Sequence, residues 1–182
     1  RSEDGGVTWS DPIEVSPRAQ YSILFNQVIP DAQEQLDVVR QVVQGPDVIV
    51  APDGTVYVAW LDTTDDDSFE GLAEVYVRRS DDGGKTFKPR RLVSTFPEIG
   101  FSARHANFRS WGAAFPKLGI GPEGNIYVVW VALPTDDPDD DGDVYVATST
   151  NQGDTWSRRM RINDDLDSAF QFFPEVSVDP QG

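Results

Sequence analysis

The segments "GPDVIVAPDGTVYVAWLD" (45–62), "FPKLGIGPEGNIYVVWVA" (115–132) and "FPEVSVDPQG" (173–182) align without gaps. Their leading prolines, Pro46, Pro116 and Pro174, lie 70 and then 58 residues apart. The first two copies stay in step further on, where "VYVRRSDDGGKTFKPRRLVS" (75–94) matches "VYVATSTNQGDTWSRRMRIN" (144–163). Such a period constrains the fold more than any composition does. Each repeat is one supersecondary unit that must bury its faces against its neighbours, so the chain folds as an array.

Each unit reads as four short strands. In the first copy these fall around 47–51, 55–61, 75–80 and 89–94, with a Pro-Asp-Gly turn at 52–54 between the first two. The second strand, "TVYVAWL", is apolar on both alternating faces: Val56, Val58 and Trp60 on one, Tyr57, Ala59 and Leu61 on the other. A strand without a polar face is sandwiched between sheets. Repeated four-stranded antiparallel units predict an all-β fold, a β-propeller, with a β-sandwich as the alternative that does not require close repetition. The expected division is the end of a blade (1–16), an insertion (17–45), a blade (46–94), a crossing (95–114), a second blade (115–163), and a crossing with the start of a further blade (164–182).

A turn recurs between the third and fourth strands: "RSEDGGVTW" (1–9), "RSDDGGKTF" (79–87) and "TSTNQGDTW" (148–156). These strings match the Asp-box pattern Ser-x-Asp-x-Gly-x-Thr-Trp/Phe. On Ser2, Asp4, Gly6, Thr8 and Trp9, then Ser80, Asp82, Gly84, Thr86 and Phe87, then Ser149, Asn151, Gly153, Thr155 and Trp156, the chain resembles the sialidase-like (BNR-repeat) propellers. The third copy carries Asn where the pattern has Asp. The chemistry of the motif is structural: a short Asp or Asn accepts backbone N–H groups, Gly supplies an open φ, and the ring anchors the turn. The resemblance implies that these turns lie on the face opposite an active site.

The other face then receives the loops between second and third strands, and two of these are intensely acidic: "DTTDDDSFEGLAE" (62–74) and "TDDPDDDGD" (135–143). Asp137, Asp139 and Asp141 precede Gly142 in the order of a calcium loop, with Asp143 beside them; the twelfth position would be Thr148 rather than Glu, so this is no EF-hand. Asp62, Asp65 and Asp67 form a second candidate calcium set, and Asp164, Asp165 and Asp167 point to the same face. Solvated acidic tips are the alternative. The whole chain holds 23 Asp and 8 Glu against 12 Arg and 3 Lys, for a net charge of −16. That balance suits calcium or a high-salt habitat, and it excludes a nucleic-acid partner, which needs a basic footprint. No apolar run approaches a membrane span, and there is no cysteine.

The crossings carry the remaining candidates. "PDAQEQLDVVRQVVQG" (30–45) predicts a short helix around 31–44, with Asp31 as cap, Glu34 three residues on, Leu36, Val39 and Val43 as its apolar stripe and Gly45 as its stop. With "YSILF" (21–25) it packs on its own fold or on a partner. "FSARHANFRSWGAAF" (101–115) holds Arg104, His105, Arg109 and Trp111. Paired guanidinium groups beside an aromatic ring can clasp a carboxylate or a sugar, or simply pair with the acidic loops.

The resembling sialidases hold a substrate carboxylate with three arginines, use a Tyr–Glu nucleophile pair and an Asp acid/base, and carry a Phe/Tyr-Arg-Ile-Pro motif. The nearest string is Phe108-Arg109-Ser110-Trp111, and no catalytic residue transfers. A ring of about six such blades needs roughly 350–420 residues. The expectation is therefore a fragment of an extracellular propeller, a binding or structural module for a glycan or protein partner that other blades or chains complete. An exo-glycosidase with its catalytic residues in those further blades is the alternative.

Overall fold

The computed structural model describes residues 1–16, 43–63, 72–97, 115–135, 140–165, 169 and 171–181. Strands β1 (Val43–Val50), β2 (Val56–Asp62), β3 (Leu72–Ser80) and β4 (Arg91–Pro97) form one antiparallel sheet in sequence order. Strands β5 (Lys117–Ile120), β6 (Ile126–Ala132), β7 (Asp143–Ser149) and β8 (Met160–Arg161) form the second in the same order. The four-strand reading of both units holds. Between β1 and β2, Gly54 takes φ 88°, the conformation for which the Pro-Asp-Gly turn needs glycine.

The expected helix around 31–44 is corrected at its end. Residues 17–42 lie outside the described residues, but Val43 and Gln44 belong to β1, pairing with Asp62 and Leu61. Gly45 stops no helix: it sits at a bulge in the β1–β2 ladder with φ 60°. A Cβ there would clash with the Phe115 ring, so glycine makes room for a neighbour from the segment that leads into β5. Among the described residues there is no helix, hence none long and apolar enough to cross a membrane.

Both central strands are buried on both faces, as their sequences require. The core joins Tyr57, Ala59, Leu61, Val75 and Val77 of the first sheet to Ile126, Val128, Trp130 and Ala147 of the second. The sequence repeat gives this contact its meaning. Trp130 corresponds to Trp60 and Tyr57 to Tyr127, so one sheet uses its odd-numbered face and the other its even-numbered face. The sheets therefore stack head to tail, with unlike faces meeting.

Segments at either side continue the pattern. The Arg78 guanidinium donates to the carbonyls of Val15 (2.8 Å), Phe87 (2.9 Å) and Lys88 (2.7 Å), tying residues 1–16 to β3. Val176 and Val178 lie over Gly119 on the far side of the second sheet, where a Cβ would stand 3.1 Å from either. Asp47, Lys117 and Glu175 occupy the same position of three successive repeats. Lys117 Nζ reaches Asp47 at 3.7 Å and Glu175 at 3.2 Å, and the Leu118 N–H donates to Asp47 at 2.8 Å.

Candidate functional site

The three repeated turns emerge at one end of the sheets, and their side chains close them. Asp4 accepts the Thr8 hydroxyl at 2.6 Å, the Thr8 N–H at 2.9 Å and the Ser2 hydroxyl at 2.8 Å. Asp82 repeats this with Thr86 (2.6 and 2.9 Å) and Ser80 (2.7 Å). Hydrogen bonds to the ionised form, first of all from the threonine hydroxyl, hold the Asp4 carboxyl down at about 2 and Asp82 lower still. In the third turn Asn151 Oδ1 accepts from Ser149 (3.0 Å) and the Thr155 N–H (2.9 Å), while its Nδ2 donates to the Thr155 hydroxyl at 2.8 Å. The asparagine keeps the turn by reversing one hydrogen bond. The anchoring rings differ: Trp156 packs against the core, Phe87 is half-buried, and Trp9 is 73% exposed.

The third turn also grips the neighbouring sheet. Arg79 of β3 donates through Nη1 to the Gln152 carbonyl (2.9 Å) and side chain (3.1 Å), and Asp154 faces Arg79 and Arg91 at 3.9 and 3.5 Å. Gln152 adopts φ 60° where the sister turns use Gly5 and Gly83. A side chain in that left-handed conformation is costly, and this one gains the contact to Arg79. A cleft of about 560 Å³ opens beside it, between the 51–53 and 120–124 turns, with Tyr57, Asp53, Glu123 and Asp154 on its walls.

The opposite end is built from a stack that both sheets share. Trp60 stacks on Tyr76 at 5.8 Å, and the Arg90 guanidinium lies 4.2 Å over that tyrosine ring. Trp130, Tyr145 and Arg159 repeat the arrangement at 6.3 and 4.5 Å. In the first sheet Asp62, 5% exposed, faces Arg90 at 3.3 Å. Burial and the hydrogen bond it gives Glu74 push the Tyr76 hydroxyl up to about 12. In the second sheet Asp143 is fully buried; it faces Arg161 at 3.0 Å and accepts from Asn163 at 2.7 Å. Asn163 also donates to Asp165, whose other oxygen accepts from Gln171 at 3.3 Å. This network pins the strand entering β7 to the segment leaving β8.

Several expected site residues fall outside the described residues: Arg104, His105, Arg109 and Trp111 of the crossing, and Asp65, Asp67, Asp137, Asp139 and Asp167 of the acidic segments. Of the others, Asp62 and Asp143 direct their carboxylates to arginines, Asp141 is half-buried and Asp164 exposed. Among the described residues no group of three or more His, Cys, Asp or Glu side chains is arranged to hold a metal ion. Sequence reading missed the Trp–Tyr–Arg stacks, although the repeat displayed them as matched identities at 60/130, 76/145 and 90/159. It also missed the Arg79–Gln152 clamp, which no local pattern encodes.

No protein-family model matches the chain, and no curated protein does. Among solved structures the chain is similar to a Hadza microbial sialidase, with TM-score 0.44 and 17% identity over 65% of this chain and 25% of that one. It is also similar to a thermostable family-43 glycoside hydrolase, with TM-score 0.40 and 15% identity over 68% and 38%. A third is the Trypanosoma rangeli sialidase in complex with sialic acid, with TM-score 0.38 and 13% identity over 75% and 24%. The chain thus spans between about a quarter and two fifths of the length of these structures.

Proposed function

We propose that the chain is part of a sialidase-like β-propeller, that its three repeated turns are Asp boxes, and that the module acts outside the cell by binding a glycan or protein partner. The observation that carries this reading is the head-to-tail stack. Unlike faces of equivalent sheets meet, so each sheet leaves a face that fits another sheet of the same kind, and such a series closes into a ring where the rotation between sheets allows it. Uncovered valines point the same way. Val48 and Val50 are 59% and 58% exposed, whereas Leu118, which corresponds to Val48, is 6% exposed beneath the first sheet.

Binding rather than hydrolysis is favoured by the sequence, where no Phe/Tyr-Arg-Ile-Pro string and no nucleophile pair can be assigned. Calcium enters the proposal only at Asp137, Asp139 and Asp141, because Asp143 and Asp62 are engaged by arginines. The test is a glycan array run beside a fluorogenic sialoside assay on the purified protein. Glycan retention without turnover is the expected result. Turnover would transfer the chain to the glycosidase reading, and neither retention nor turnover would leave only a protein partner to be sought by affinity capture.

A further inference from the structure

The two stacks differ at one position, and the difference creates a site. In the first sheet the Arg90 guanidinium lies over Tyr76 and meets the Asp62 carboxylate at 3.3 Å. Asp62 pairs across the ladder with Glu74; in the second sheet the same rung pairs Ala132 with Asp143. The stack of Trp130, Tyr145 and Arg159 is thus kept while the carboxylate that would face the arginine is deleted.

Nothing else among the described residues takes its place. Asp143 and Asp165 both turn to Arg161, at 3.0 and 3.8 Å. The buried Nη1 of Arg159 has no hydrogen-bond acceptor among the described residues. A guanidinium held flat on an aromatic ring keeps its charge and its fork geometry, and a planar anion is its complement. Arg159 is half-buried, so its charge is less screened by solvent than that of a surface arginine. The chain itself supplies the template for what fits, namely the Asp62 carboxylate on Arg90.

We propose that Arg159, stacked on Tyr145 in the sheet where Ala132 stands in place of Asp62, binds a carboxylate group supplied by a ligand. The site lies where the chain enters the fourth strand of its sheet. Acetate is the probe. In the 182-residue protein, about 0.1 M acetate raises Tm by about 2–4 °C over chloride at matched ionic strength. Arg159→Met abolishes that gain. Ala132→Asp also abolishes it, because the installed carboxylate occupies the site, and its Tm in chloride is no lower than that of the parent.

Asp62→Ala gives an independent reading should Arg159→Met fail to fold. It recreates the second-sheet arrangement around Arg90, so acetate restores part of the Tm lost and the acetate response exceeds that of the parent. Equal acetate gains in the parent and Arg159→Met would overturn the proposal. So would an Ala132→Asp protein that loses stability and keeps the acetate response, or an Asp62→Ala protein indifferent to acetate.

Discussion

Replacing Trp130 with alanine removes the largest fully buried side chain among the described residues and tests whether the two sheets form one core. The indole lies 5.8 Å from the Phe96 ring of the other sheet and 6.3 Å from Tyr145 of its own. Burying a tryptophan takes roughly 200 Å² from water, worth about 5 kcal/mol at about 25 cal/mol per Å². Partial collapse of the site and residual burial in the unfolded chain bring the expected loss to about 4 kcal/mol. For a chain of this length about 1 kcal/mol moves Tm by roughly 3 °C, so the midpoint falls by about 12 °C.

The indole N–H contributes nothing to that loss, because it has no acceptor among the described residues. Trp130→Phe therefore costs far less, about 1 kcal/mol. Urea unfolding of Trp130→Ala, Phe96→Ala and the double variant reads the inter-sheet contact directly. A coupling energy of about 0.5–1.5 kcal/mol is expected for two rings in contact. Additivity within about 0.3 kcal/mol, or a Trp130→Ala loss below about 1 kcal/mol, would refute the packing argument.

Three further outcomes follow from the turns and the buried network. Asp4 and Asp82 have folded-state values below the unfolded one, so their contribution is complete above about pH 4, shrinks as pH falls from 4, and is lost only as pH falls through about 2 for Asp4 and lower still for Asp82. Asp82→Asn, which copies the natural Asn151 turn, should flatten the fall of Tm between pH 4 and pH 2; an unchanged pH profile would count against the hydrogen-bond assignment. Gly45→Ala forces a left-handed φ on a side chain that meets Phe115, at a cost of about 3 kcal/mol by urea titration, and Phe115→Ala in the same chain recovers the steric part. Asp143→Asn lowers stability by about 2 kcal/mol, equally in EDTA and in calcium, since its partners are Arg161, Asn163 and the Tyr145 hydroxyl; a loss confined to calcium-containing buffer would reassign the carboxylate to a metal.

The array, its four-strand units, the turn positions and the two-sided burial of "TVYVAWL" were legible in the sequence, because alternation and turn chemistry are short-range and were written twice. Asn151 was legible too as a tolerated substitute, although not the reversal of its bond to Thr155. The helix reading failed where Gly45 looked like a stop signal. Its positive φ serves a β-bulge beneath Phe115, a residue 70 positions away by sequence number. Which face meets which neighbour, that Asp62 and Asp143 answer to arginines, and that Gln152 is held by Arg79 were decided only by the tertiary structure. These are contacts between residues of different strands and sheets, and no periodicity along one segment records what another segment places opposite it.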